Sequence, residues 1–288
     1  MSTPIKSMAV IGAGTMGAGI ALVAAQSGLQ VFQIDVKPEQ LERAKAYHRK
    51  TVDRAVEKQR MTRDDADAAL ARVRYVPSMA DAKGAEWVVE AATENADLKK
   101  RIFKEMQAAF PAPAVLATNT SSISITDIAA AVGPDAGRVI GMHFFNPVPV
   151  MALVEVIKGL ATTEETTHRT VELAKAMGKT PVPANDRAGF VSNRVLMPMI
   201  NEAFHAWMGG VAGPEEIDQI MKLGCNFPMG PLRLADFIGL DVCHDIMMVL
   251  YRELGEPKFF PCPLLRQLVL AGRLGDKSGR GVFEYPGK

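Results

Sequence analysis

The stretch AVIGAGTMGAGIALVAAQSGLQVFQID, residues 9–35, restricts the fold of this chain more than any other. A short apolar run ends in three glycines, Gly12, Gly14 and Gly17, in G-x-G-x-x-G spacing, and Asp35 follows eighteen residues after the third. Each residue type meets a physical need. Gly12 lets the chain turn tightly out of a strand, and Gly14 lets backbone amides approach a pyrophosphate. Gly17 lets the next helix pack closely on the sheet. Thr15 and Met16 open that helix, whose N-terminus favours phosphate charge. Asp35, at the end of the second strand, is placed to accept hydrogen bonds from a ribose diol and to repel a 2′-phosphate. The strand–turn–helix–strand frame with the acid in place predicts a dinucleotide site that takes NAD in preference to NADP.

The same stretch has a rival reading, because Ser7 to Ile34 carries no charge and follows Lys6, as in an export signal or a membrane span. Five glycines interrupt the run and the pattern switches from strand to helix to strand, so a folded, cytoplasmic protein with no membrane role is expected. A length of 288 residues predicts two domains, and 48% hydrophobic with 23% charged residues is an ordinary globular composition. A net charge of +1 argues against a dedicated nucleic-acid binder. Cys225, Cys243 and Cys262 are odd in number and lack CxxC spacing, which gives neither a disulfide framework nor a metal site.

Up to about residue 185 strand-like runs alternate with helical patterns, the signature of a doubly wound α/β domain. Strands are predicted at Met8–Ile11, Val31–Ile34, Trp87–Glu90, Val115–Thr118 and Val139–Phe144. A long helix is predicted over Pro38–Gln59, with Leu41, Ala44, His48, Val52, Ala55 and Val56 on one side. From Phe190 onward only helical patterns remain, at Phe190–Met208, Pro214–Leu223, Asp236–Leu254 and Leu264–Ala271. A hinge is expected at Pro183–Gly189, separating a Rossmann-like, mostly parallel sheet domain (1–186) from an all-helical domain (187–288). The first of those helices is apolar on more than one face, which predicts burial against another surface, and a homodimer is the commonest outcome.

Three stretches carry candidate chemistry. Asn119 to Ser122 lie just past the C-terminal end of a strand, where an open α/β sheet holds its ligands. Ser124 and Asp127 fit a capping box for the next helix. Ser121 is the better candidate for ligand contact, with Ser122 open as an alternative. His143 and Glu155 flank a turn containing Asn146, Pro147 and Pro149. If Leu153–Ile157 folds back, the two side chains meet, and a carboxylate paired with an imidazole makes a competent base. A buried histidine satisfied by backbone fits equally well at this stage. Asn193, in GFVSNRVL, faces a cleft between domains or is an ordinary residue of a helix start. Between Lys37 and Arg63 stand nine basic and four acidic residues. A solvated face explains them; the sharper reading is a dock for a phosphate-rich handle.

Taken together, VIGAGTMGAGIA, VVEAATEN, ATNTSSISIT, GMHFFNPVPVMALVEVI, GFVSNRV, GCNFPMGPLRLADFIGLD and GDKSGRGVFEY resemble the 3-hydroxyacyl-CoA dehydrogenase family, and most nearly its short bacterial 3-hydroxybutyryl-CoA dehydrogenases. The resemblance covers nearly the whole chain. It implies that His143 is the catalytic base, that Glu155 orients and charge-balances it, and that Ser121 and Asn193 hydrogen-bond the substrate. It implies that Glu94, Lys99, Asn119, Ser121, Asn146 and Lys277 line the NAD site. Thr51 and Lys58 match positions that touch coenzyme A, and a threonine stands at 51 where relatives often have serine. The segment AVGPDAGRVIG is one residue longer than in some relatives, which puts Ser121 and His143 twenty-two residues apart. The implied activity is reversible NAD-dependent oxidation of a short (S)-3-hydroxyacyl-CoA, within fatty-acid or related CoA metabolism. A dehydrogenase of a free hydroxy acid or sugar acid is the alternative within enzymes, and a non-catalytic dinucleotide-fold protein lies outside them.

Overall fold

The computed structural model describes residues 5–286. The chain divides into two compact units, with the break between Asp186 and Arg187.

The first unit is a sheet with helices on its faces. Its elements in chain order are β1 (Ser7–Ile11), α1 (Thr15–Gln26), β2 (Gln30–Ile34), α2 (Pro38–Glu57), α3 (Arg63–Ala71), β3 (Val73–Val76), β4 (Trp87–Glu90), α4 (Ala96–Ala109), β5 (Val115–Thr118), α5 (Ile125–Ala130), β6 (Val139–Phe144), β7 (Leu153–Lys158), α6 (Glu164–Ala176) and β8 (Thr180–Asn185). The eight strands lie in the order β3-β2-β1-β4-β5-β6-β7-β8. All pairs are parallel except β6 with β7. Strands β4, β5 and β6 are buried at every position, as strands covered on both faces must be, and so read as runs that are apolar but for Glu90, Thr118 and His143. The chain order reverses between β1 and β4, and a doubly wound sheet opens a crevice at the carboxyl ends of two such strands.

The helix α2 buries Leu41, Ala44, His48 and Val52, the side the periodicity selects, and Lys58 caps its end. This unit departs from the sequence expectations in several places. The strand β3 and its preceding helix α3 were not among the predicted elements. The segment expected to begin a hinge at Pro183 is instead strand β8, paired with β7 from Leu153↔Thr180 to Lys158↔Asn185. The amides of Thr180 and Asp186 donate to the carbonyls of Ala152 and Lys158. That parity turns residues 180, 182, 184 and 186 toward β7 and leaves Pro181 and Pro183 on the outer edge, where the lack of an N–H costs no ladder bond.

The second unit is helical: α7 (Ser192–Met208), α8 (Pro214–Gly224), α9 (Pro231–Ile238), α10 (Leu240–Leu254) and α11 (Pro263–Leu270). Its core gathers Met197, Ile200, Phe204, Leu232, Met247, Leu250 and Leu265, among others. The expected single helix Asp236–Leu254 is broken at Gly239, whose φ of +109° no helix accommodates. Asp236, almost fully buried, instead accepts from the amides of Val282 and Phe283 and from the Tyr285 hydroxyl, and so pins the C-terminal segment to α9. No helix among the described residues is long and apolar enough to cross a membrane.

Candidate active site

The glycine turn sits at the switch point. A Cβ placed on Gly17 would lie 1.9 Å from the Gly12 oxygen, and one on Gly12 would lie 2.7 Å from the Ala91 oxygen. Contacts within the protein therefore explain both glycines. A Cβ on Gly14 meets nothing within 4 Å. Gly14 is also the N-cap of α1, with no side chain capping its first amides. Open space beside uncapped helical amides is what an incoming pyrophosphate requires, so the chain fits the dinucleotide that the motif implies. Thr15 and Met16 form the first turn of α1. Asp35 stands at the end of β2, accepting from the Ala13 amide at 2.8 Å and the Lys37 amide at 2.9 Å. It thus anchors the glycine turn through the Ala13 amide.

A second layer lies under the ends of β4 and β5. Glu90 and Lys99 are both fully buried, with Lys99 Nζ 2.6 Å from Glu90 Oε2. Thr118 donates to the same oxygen at 2.8 Å, and Glu90 Oε1 accepts from the Ala92 amide. Lys99 also lies 3.7 Å from Glu94 Oε2. The other oxygen of Glu94 collects the Thr120 hydroxyl at 2.6 Å and the Ser121 amide at 2.8 Å, with the Ser122 amide and hydroxyl more loosely held. Lys99 is thus placed beneath Glu94, with its ammonium on carboxylates. Asn119 is nearly buried and uses its Oδ1 to accept from the Phe144 amide, tying the exit of β5 to β6.

The antiparallel pairing of β6 and β7 sets His143 directly opposite Glu155. The fold-back that the turn suggested brings His143 Nδ1 to 2.7 Å from Glu155 Oε2, with both side chains nearly buried. An ionised carboxylate only accepts, so Nδ1 carries the proton and Nε2 presents its lone pair. Ser121 Oγ lies 3.1 Å from that Nε2, whereas the Ser122 hydroxyl turns to Glu94. The geometry thereby separates the two serines that sequence left open. The Phe145 ring lies tilted at 45° to the imidazole, with the ring centroids 4.6 Å apart. Asn146 is exposed in the loop that follows, and Lys179 clasps this loop by donating to the carbonyls of Val148 and Met151. The N-cap at Ser124 forms, but the Asp127 carboxylate pairs with Lys100.

The remaining candidates lie apart from this cluster in the chain. Thr51 is half-buried on α2 and Lys58 is exposed at its end. Of the basic residues nearby, Arg49 and Arg63 are already paired with Asp67 and Asp53. In the second unit, Asn193 lies buried in the first turn of α7 and Lys277 pairs with Asp241 at 2.6 Å. Among the described residues no cluster of His, Cys, Asp or Glu could hold a metal ion. Sequence reasoning passed over Glu90 and Thr118; the one signal for Glu90 was a lone acid closing an apolar strand.

A glycine turn at the switch point, an acid closing β2 and a histidine–carboxylate pair at the same sheet edge define the arrangement of nucleotide-dependent dehydrogenases. The chain belongs to the 3-hydroxyacyl-CoA dehydrogenase family: residues 7–187 match its NAD binding domain and residues 189–285 its C-terminal domain. It is 52% identical over 284 residues to a probable 3-hydroxybutyryl-CoA dehydrogenase of Bacillus subtilis, covering 99% of both chains. It is 42% identical over 286 residues to a 3-hydroxyadipyl-CoA dehydrogenase of Escherichia coli, covering 99% of this chain and 60% of that one. The crystal structure of an (S)-3-hydroxybutyryl-CoA dehydrogenase from Ralstonia eutropha superposes with a TM-score of 0.95 at 48% identity, covering 98% of this chain and 99% of that one.

Proposed function

We propose that the protein catalyses the reversible NAD-dependent oxidation of an (S)-3-hydroxyacyl-CoA to the 3-ketoacyl-CoA, with the C4 thioester as its substrate. The observation that carries the reading is the line Glu155–His143–Ser121 at the edge of the sheet that bears the glycine turn. NAD, when bound, supplies the hydride acceptor. His143 Nε2 takes the proton of the C3 hydroxyl as carbonyl character develops, and Glu155 stabilises the imidazolium that results. In the reverse direction the imidazolium returns that proton to the carbonyl oxygen. With substrate bound, the Ser121 hydroxyl, 3.1 Å from Nε2, turns its single proton to the reacting oxygen and leaves the Nε2 lone pair free for the C3 hydroxyl.

Gly12, Gly14, Thr15, Met16, Gly17 and Asp35 hold the dinucleotide in this reading, with Glu94, Lys99, Asn119, Asn146 and Lys277 completing its surroundings. Thr51, Lys58 and the basic face of α2 receive the coenzyme A handle, and Asn193 hydrogen-bonds the substrate. The helical unit supplies the contact of a homodimer, and the enzyme works in the cytoplasm on fatty-acid-derived thioesters. The names of the relatives support the thioester and vary in the acyl group.

The test is NADH oxidation with acetoacetyl-CoA against free acetoacetate. Turnover of the thioester alone is expected. Turnover of the free acid would move the protein to the hydroxy-acid dehydrogenases, and NADH binding with no turnover of either would leave a dinucleotide-binding protein without this chemistry.

A further inference from the structure

The most deeply buried ion pair among the described residues is Glu90 with Lys99, at 0% and 1% side-chain exposure. Taking two charges out of water costs about as much as their attraction returns, so such a pair is weak evidence for stability and calls for another reason. Its surroundings supply one. Lys99 faces two carboxylates, at 2.6 Å and 3.7 Å. Glu90 is fixed on all sides, by the Ala92 amide, the Thr118 hydroxyl and Lys99. Glu94 is not: its side chain is 43% exposed, and Lys99 is the cation that holds its inner oxygen. The outer oxygen of Glu94 gathers Thr120, Ser121 and Ser122. Ser121 is held by its amide, and its hydroxyl reaches His143.

We propose that Glu90 and Lys99 are a positioning pair for the serine loop 119–122, acting through Glu94 to aim the Ser121 hydroxyl at His143. Without Lys99 the two carboxylates face each other with no cation between them. Glu94 then turns to solvent and releases the Ser121 amide. Glu90 sets the height of the ammonium, because its own carboxylate cannot move.

This inference rests on the proposed dehydrogenase activity for its kinetic readout, and a second readout stands apart from it. The experiment compares wild type, Lys99→Met and Glu94→Gln. Removing one partner of a buried pair is strongly destabilising; Glu94→Gln leaves that pair whole and keeps the test open if Lys99→Met does not fold. In each folded variant kcat for acetoacetyl-CoA should fall by about tenfold or more, as expected when a reacting group is misplaced by about an ångström. KM for the thioester should stay within about twofold, since this interaction serves the reacting geometry and not ground-state binding of the substrate; kcat carries the test, because Glu94 and Lys99 also belong to the proposed surroundings of the dinucleotide. The Ser121 amide should exchange with solvent faster than in wild type. A wild-type kcat, a loss seen only as a raised KM for NADH, or unchanged Ser121 exchange would overturn the proposal. If wild type itself fails to turn over acetoacetyl-CoA, the functional reading falls, and amide exchange alone decides whether the pair holds Ser121.

Discussion

His48 is completely buried between two helices, with Nε2 at 2.8 Å from the Ala18 carbonyl of α1 and Nδ1 at 2.7 Å from the Tyr75 hydroxyl. A carbonyl only accepts, so Nε2 bears the proton and Nδ1 accepts from Tyr75. Burial holds the Tyr75 hydroxyl protonated, its pKa pushed up to about 12, and the same effect pushes the imidazole below its ordinary range. Because the folded state favours neutral His48, this contribution to stability is intact above the unfolded pKa of about 6.5 and is lost as pH falls below it. Denaturant midpoints measured at neutral pH and near pH 5 should therefore show a loss in wild type that is smaller in His48→Gln, with about 2 kcal/mol as the ceiling for one proton over that span. At the end of β6, His143→Ala should lower kcat by about 10²–10⁴-fold while the Kd for NADH stays near that of wild type, a split that stopped-flow binding and steady-state rates resolve. His143, Glu155 and Ser121 were legible in the sequence because a turn-flanked pair and a strand-end serine leave a linear trace. Glu90, Lys99 and Thr118 meet only through the parallel pairing of β4 with β5 and the packing of α4, and nothing in their spacing records that.

At the scale of single elements, the glycine turn offers a paired comparison. Gly17→Ala forces a Cβ to 1.9 Å from the Gly12 oxygen, so α1 must move; both thermal stability and NADH affinity should fall, each clearly outside error. Gly14→Ala has open space and a φ of −70°, so its melting temperature should match wild type while NADH affinity drops by about tenfold, the scale of one weakened phosphate contact. Equal losses of stability in the two variants would contradict the reading of Gly14 as a ligand-facing position. The buried strands were readable from their apolar runs, and α2 from its period. β8 was not, because Pro181 and Pro183 argue against a strand anywhere but on an edge, and edge placement is a property of the assembled sheet. The break between α9 and α10 was hidden in a continuous helical pattern, where Gly239 alone marked the stop. β3 is short and only partly buried, so its four residues carry little pattern.

For the molecule as a whole, the proposed dimer has an apolar surface available in the helical unit. Ile220 and Leu223, three residues apart on α8, are 62% and 77% exposed, and such spacing puts them on one helical face. Sedimentation should show a dimer for wild type and a shift toward monomer for an Ile220→Lys, Leu223→Lys double variant that keeps its helical content. An unshifted dimer would place the contact elsewhere on the unit. The two-part organisation was legible because strand signals cease near residue 185, yet the chain continues its sheet up to Asn185 before the break at Asp186, so the sequence marked the change of architecture more sharply than the last strand before it. The proline-lined rim of β8 also limits how copies of this protein can associate. With alternate outward amides missing, a neighbouring strand finds no regular row of donors to align on, so that rim cannot template the growth of a larger sheet. Pro181→Thr with Pro183→Val would restore the row, and fibre or aggregate formation under mild heating should then rise without any change at His143.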